Sequence, residues 1–412
     1  MSGRKLGLFE AVGVELEYMI VRRGDLSVLP VADEVLRSAA GTGEIASEVE
    51  MGALSWSNEL PLHVLELKTN GPAPALAGLA EAFGADVARV DAMLRPLGGR
   101  LMPGGAHPLM APHRETRLWN HEYSPVYEAY DRIFSCSGHG WSNLQSMHLN
   151  LPFANDEEFG RLHAAIRLLL PIMPAIAAST PILDGRFTGF MDARLEAYRK
   201  NAARIPSITG QVVPEPAFTR AEYEERIFEP MYRDILPLDP DRILGHEWLN
   251  SRGAIARFER DTIEIRVLDT QECPQADLAV AELILETLRA LTGEGPCGQA
   301  QQRAWQVAPL AAIFLDVVRD ADEALIRDEA YARCLGYGGP MPCRALDIWK
   351  VLAQALPRDG VEQRTALDVI LSEGSLARRI MKAVGPSPDR EGILQVYGRL
   401  CNCLDDNEPF HA

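Results

Sequence analysis

The chain has 412 residues and carries 41 basic and 58 acidic side chains, a formal charge of −17, with 47% hydrophobic and 7% aromatic content. These fractions belong to a globular protein and exclude a collagen, a coiled coil or a disordered chain. So acidic a balance argues against nucleic acid and anionic membrane as partners, since both call for basic stripes, but leaves room for a small anion held by a local arginine cluster.

A mass of 45.4 kDa predicts a folded surface of roughly 16,000 Å² and a large core. The N-terminal MSGRKLGLFEAVG lacks the apolar stretch of a signal peptide. The longest apolar run, residues 168–178, is broken by Pro171 and Pro174 and is too short to span a bilayer. Seven scattered Cys without paired CxxC motifs predict a reduced, cytoplasmic protein.

In chain order, residues 1–70 read as short strands and turns. Residues 72–97 read as a helix, with Leu76, Leu79, Phe83, Val87, Val90 and Leu94 at spacings of three and four and Gly98-Gly99 as its stop. A second helix begins at Asn155 with Glu158 three residues on as a capping box, and Pro171 ends it. A third covers about 277–291. After the linker Gly293-Glu294-Gly295-Pro296 only helical stretches follow, such as 375–384 before Gly385-Pro386. The expected organisation is an α+β core over 1–295 and a helical C-terminal subdomain over 296–412.

Four predicted strands share one pattern. Side chains alternate across a strand. In residues 12–20 (VGVELEYMI), Glu15 and Glu17 therefore lie opposite Val14, Leu16 and Tyr18. In 63–69 (HVLELKT), Glu66 and Lys68 oppose Leu65 and Leu67. In 144–151 (LQSMHLNL), His148 and Asn150 oppose Met147, Leu149 and Leu151. In 262–268 (TIEIRVL), Glu264 and Arg266 oppose Ile263, Ile265 and Val267.

An antiparallel sheet with one idle wet face would alternate in the same way. Against that reading, Glu and Asn are disfavoured in strands, and like charges side by side cost energy unless a cation lies between them. Divalent ions would remove the conflict, and hard oxygen donors with an occasional His suit Mg²⁺ or Mn²⁺ better than zinc. Glu59, just before the second of these strands, is either an exposed loop carboxylate or one more ligand.

Arginine is the second constituent. Arg194 and Arg199 follow the turn DGRFTGFMDAR, and Arg252, Arg257 and Arg260 precede the strand bearing Arg266. Arg grips phosphate or carboxylate with a planar fork that Lys cannot copy. These segments are either solvated surface or, beside a carboxylate face, half of a nucleotide-and-metal site. No GxxxxGK[ST] loop, no GxGxxG after a strand and no HExxH occurs. Cys136 near His139 could be drawn as a nucleophile and base, but a buried Cys is the simpler reading. Cys401 and Cys403 are expected to pack or lie idle.

With these residues in view, the chain resembles the glutamate–cysteine ligase type 2 family, the carboxylate–amine ligases on a glutamine-synthetase-like fold. The matching segments are GVELEY at 13–18, ELPLHVLELKT at 59–69, QSMHLNL at 145–151, AASTPILDGRFTGFMDAR at 177–194 and TIEIRVLD at 262–269. They stand in the family's order over about the first two thirds of the chain. The resemblance implies a curved antiparallel sheet forming an ATP and metal funnel backed by helices. It implies ATP-dependent activation of a glutamate-type carboxylate as an acyl phosphate, then amide formation with an amine such as cysteine. By position, Glu15, Glu17, Glu59, Glu66, Glu264 and His148 would hold more than one Mg²⁺ or Mn²⁺ ion. Arg194, Arg252 and Arg266 would act on phosphate or the substrate carboxylate, and Arg257, Arg260, Lys68, His148 and Asn150 would contact the nucleotide. Where many members carry HxHxG, this chain has His148-Leu149-Asn150-Leu151-Pro152, which leaves one ligand and the amine open. Residues 206–245 are either a mobile cover over the site or a static connection. A kinase on the same fold and a non-catalytic nucleotide-binding protein are the competing readings, and a homo-oligomer is left open.

Overall fold

The computed structural model describes residues 4–293, 295–355 and 364–412. Its accessible surface is 16,023 Å², the value the mass predicts. An eight-stranded sheet organises the first two thirds. Its strands are β1 (Gly13–Arg22), β2 (Glu48–Glu50), β3 (Leu54–Asn58), β4 (Val64–Thr69), β5 (Gly99–Met102), β6 (Ser146–Pro152), β7 (Ala254–Arg257) and β8 (Thr262–Asp269). They are ordered β2-β3-β4-β1-β6-β8-β7, every pairing is antiparallel, and β5 joins the far end of β1.

One face of the sheet is apolar. Val14, Leu16, Leu65, Leu67, Leu149, Leu151, Ile263 and Ile265 join a single hydrophobic cluster with Phe83, Val87 and Val90 of helix α2 (Leu79–Leu94), Leu162 and Ile166 of α3 (Asp156–Leu169), and Leu278 and Leu288 of α4 (Pro274–Thr292). The alternating pattern of each strand thus produces a helix-backed face and an opposite polar one.

Several elements differ from expectation. Residues 1–70 include a helix, α1 (Ala32–Ala40), which closes at Gly41 with φ 66°. Helix α2 starts at Leu79 rather than 72, because Pro72 and Pro74 precede it and its N-cap Gly78 sits at φ 76°. Asn155 caps α3 by accepting from the Glu157 and Glu158 amides at 3.0 and 3.1 Å. The Glu158 carboxylate, however, accepts from Ala154 and Leu8 instead of closing a box on Asn155, which ties the N-terminal segment to this helix.

The segment after 296 is not solely helical, since Leu325–Ile326 pairs with Cys343–Arg344. Glu294 of the predicted linker lies outside the described residues. Residues of this region share the main hydrophobic cluster, and two buried donors fasten it: Tyr331 Oη to the Leu168 carbonyl at 2.9 Å and Trp349 Nε1 to the Ile172 carbonyl at 2.7 Å. Helix α5 (Leu376–Val384) brings in Arg379, which forms a fully buried ion pair with Glu272. The Phe410 backbone closes the group, its carbonyl accepting from Arg379 at 2.6 Å and its amide donating to Glu272 at 3.0 Å. No described helix is long and apolar enough to cross a membrane.

Removing one partner of a buried pair strands the other charge. Arg379→Met should therefore cost about 3–5 kcal/mol of stability, read as a lower denaturant midpoint. A change below about 1 kcal/mol would show that the pair is dispensable.

Two buried histidines set an acid limit. Burial holds His163 down at about 3 and His63 at about 4, against hydrogen bonds with the Ala217 and Ser142 carbonyls. Both stay neutral when folded and gain a proton near pH 6.5 when unfolded, so the unfolded state binds more protons below that pH. Stability should fall as pH drops from about 6.5 toward 4, by up to about 1.4 kcal/mol per pH unit for each group. His163→Gln should flatten that slope in urea titrations at pH 5 to 7, and an unchanged slope would remove His163 from the account.

Candidate active site

The polar face of the sheet is ordered by register. Ser55, Lys68, Glu15 and His148 form one cross-strand row, and Ser57, Glu66 and Glu17 form the next. Glu264 faces Asn150, which faces Gly13. A Cβ on Gly13 would stand 3.0 Å from Asn150 Cβ, so a bare backbone at that point leaves the Asn side chain its place. This face is not an idle wet one. Glu17, Glu66 and Glu264 are only 7%, 6% and 3% exposed.

Their surroundings divide the carboxylates. Glu15 Oε2 lies 2.9 Å from His148 Nδ1, and Glu15 Oε1 accepts from Asn150 at 3.0 Å. Burial alone would raise its pKa, but the His148 contact and charge overcome this and hold it near 2. His148 responds in the opposite sense: burial disfavours its charge, and Glu15 restores it above the usual value. Glu17 accepts from the Ser146 amide at 2.7 Å and hydroxyl at 3.1 Å. Glu66 accepts from Ser57 at 2.5 Å and pairs with Lys68 at 3.0 Å, yet burial and the charge of Glu15 push it up to about 7. The Glu59 carboxylate makes no hydrogen bond or ion pair with a described residue; burial, then Glu17 and Glu66, push it well above the carboxylate range.

Donor atoms of Glu15, Glu66 and His148 lie within 4.8 Å of one another, as do those of Glu17, Glu59 and Glu66. Two adjacent oxygen-rich sets sharing Glu66 fit hard divalent cations, and an unmet carboxylate such as Glu59 is where a cation relieves the most repulsion. Glu264 joins neither set. Its oxygens accept from Arg266 Nε at 2.5 Å and Arg257 Nη1 at 3.2 Å, and it lines the same cavity as the two sets.

The arginines also separate. Arg194 and Arg266 reach a cavity of about 370 Å³ that contains most of the carboxylates. Arg194 is held by Asp269 and donates to the Arg266 carbonyl at 3.2 Å. Asp269 is itself fixed by the Ser179 amide and Thr180 hydroxyl at 2.8 and 2.9 Å. Gly105 lets it approach, since a Cβ there would come within 2.6 Å of its carboxyl carbon. Arg252 lines neither this cavity nor the larger one beside it. It is 2% exposed and turned away, its fork on Glu215 at 2.5 and 2.8 Å and its third nitrogen on the Ser207 and Ile208 carbonyls. Arg199 pairs with its neighbour Glu196. Arg257 and Arg260 line the cavity, and Arg260 makes no side-chain hydrogen bond or salt bridge to a described residue.

A second cavity of about 530 Å³ adjoins the first, and Glu15, Lys68 and Arg260 line both. Arg4, Lys5 and Asn150 belong to the second. Residues 206–245 contribute to neither cavity; Ile208, Val213, Tyr223 and Met231 of that segment are buried in the core. The outer wall of the smaller cavity comes instead from Tyr127, Tyr130, Trp141, Tyr198 and Trp248. Cys136 is no nucleophile: burial raises its thiol, and His139 contacts Asp184 and Asn143.

Sequence reasoning missed Ser57, Ser146, Asp269 and the aromatic wall. Ser57 and Ser146 obey the same alternation as the carboxylates, and Asp269 ends a strand already singled out. The rings of the wall carry no signal distinguishing them from core.

Residues 11–325 match the family model described as Glutamate-cysteine ligase family 2(GCS2). A protein of Archaeoglobus fulgidus, whose name assigns no activity, is 31% identical over 402 residues, covering 97% of this chain and 100% of that one. Among solved structures, the glutamate–cysteine ligase of Francisella tularensis in complex with AMP superposes with a TM-score of 0.58 at 12% identity, over 98% of this chain and 90% of that one. A bifunctional glutathione synthetase of Pasteurella multocida gives 0.56 at 14%, over 96% of this chain and 52% of its own length. The chain thus has the fold of these ligases, an antiparallel sheet with helices behind it.

Cation binding should carry a proton signature. Glu66 is held near 7, and a carboxylate must lose its proton to ligate. Mn²⁺ titrated at pH 6.5 should release protons, giving heats that differ between buffers of unlike ionisation enthalpy, with affinity rising toward pH 8. Buffer-independent heats would disconnect Glu66 from the ion.

Proposed function

The chain belongs to glutamate-cysteine ligase family 2, and on that premise we propose that it is an ATP-dependent carboxylate–amine ligase that activates a glutamate-type carboxylate as an acyl phosphate and joins it to an amine. The observation that carries this reading is the pair of donor sets sharing Glu66, which line the smaller cavity, with Glu15 also on the wall of the larger one. One cavity suits the nucleotide and the other the two organic substrates.

A carboxylate is a poor electrophile, because its charge repels both the phosphoryl donor and the amine. Bound Mg²⁺ ions would offset the polyphosphate charge and align the transfer. Glu15, Glu66 and His148, and Glu17, Glu59 and Glu66, are the residues that would hold them, with Asn150 orienting Glu15. Lys68 and Arg260, on the wall common to both cavities, are placed to meet phosphate oxygens. Arg194 and Arg266 are placed to receive the substrate carboxylate, stabilising charge on the transferring oxygens. Glu264 and Arg257 fix the Arg266 fork. The γ-phosphoryl group passes to a carboxylate oxygen and ADP leaves. The amine nitrogen then attacks the acyl carbon, loses a proton and expels phosphate. The aromatic wall would keep water from the acyl phosphate.

Incubation with ATP, Mg²⁺ and glutamate, with and without amines, tests the proposal through ADP release and mass analysis of the product. Amine-dependent ADP release with an amide supports it. A phosphorylated product with no amide would mark a kinase instead and overturn it. Glu15→Gln should lower turnover at least ~100-fold while shifting the melting temperature by less than about 5 °C. Retained full activity would void the ligand assignment.

A further inference from the structure

The wall of the smaller cavity bears on the identity of the amine, a deepening that rests on the ligase reading. Tyr130 stands 5.1 Å from Trp141 and 5.8 Å from Trp248, centroid to centroid, with the rings inclined at 49° and 48°. Tyr127 and Tyr198 extend the same surface, and all five rings are half-buried where the cavity opens. Inclined rings form a concave box rather than a flat slot. Such a box favours an apolar body and the attached ammonium through ring faces. The Trp141 indole N–H has no acceptor among the described residues.

The charges at this end point the same way. The cations beside the rings are Arg194 and Arg266, and each already has a carboxylate, Asp269 and Glu264 respectively. Their remaining N–H groups can serve the carboxylate of the donor substrate. Arg260, the cavity cation with no salt bridge, lies on the wall shared with the larger cavity. An acceptor amino acid would bring a second carboxylate into this end, with no unpaired cation to meet it, and an unmet charge in a partly buried cavity is costly.

We infer that the acceptor is a primary amine with an aromatic or apolar body and no carboxylate, seated against Tyr130, Trp141 and Trp248. Its nitrogen forms the new C–N bond as the acyl C–O bond to phosphate breaks; one proton is released and no further reactant is required.

Matched pairs isolate the carboxylate: phenethylamine against phenylalanine, and cysteamine against cysteine, each with ATP, Mg²⁺ and glutamate. Phenethylamine should exceed phenylalanine and cysteine in kcat/KM by at least about tenfold, and cysteamine should exceed cysteine. Faster amide formation from cysteine or phenylalanine would overturn this inference and leave the ligase reading standing. ADP release without amide from any of the four would overturn both. Trp248→Ala should raise the KM for phenethylamine at least about fivefold, with the KM for ATP changed by less than about twofold. An unchanged phenethylamine KM would remove the rings from acceptor binding.

Discussion

The organising constraint is electrostatic: several carboxylates held on one sheet face with little exposure to water. Burial penalises each charge, and neighbouring charges penalise one another. The chain answers in part with its own cations. His148 stabilises Glu15, Lys68 stabilises Glu66, and Arg257 with Arg266 embrace Glu264. Glu59 is left without such a partner. On the proposed reading, cations arriving from solution would complete this face.

The same face explains the division of labour among the arginines. A guanidinium tied to a carboxylate of the protein is fixed in orientation and reduced in net charge, which suits it to position an anion rather than to attract one from afar. Arg194 and Arg266 are of this kind. Arg260, without a salt bridge to a described residue, stands at the junction of the two cavities. Lys68 shares that junction, but it is paired with Glu66 and Glu48.

Much of this arrangement was legible in the sequence because strands have a period of two. The alternation placed Glu15 with Glu17 and Glu66 with Lys68 on one surface, and antiparallel register then aligned them with His148. Burial was not legible, since a wet face and an enclosed one write the same pattern. Nor could the pattern separate Arg252 from Arg266. Both stand near the same strand, but Glu215, distant in sequence, captures the first. The helix at 32–40 was hidden by its brevity, and the start of α2 by apolar residues that continue the periodicity upstream through Pro74 and Gly78. Tyr130, Trp141 and Trp248 come together only through tertiary packing, and no local signal marks a ring that will face a cavity.

The anchoring of Phe410 has a consequence for how the molecule is made. Arg379 and the Phe410 backbone close on Glu272, three residues beyond the Asp269 that holds Arg194. A chain emerging from the ribosome can assemble its sheet early, yet the last buried contact of this network must wait for residue 410. Until then the Arg379–Glu272 pair lacks the backbone groups that close it.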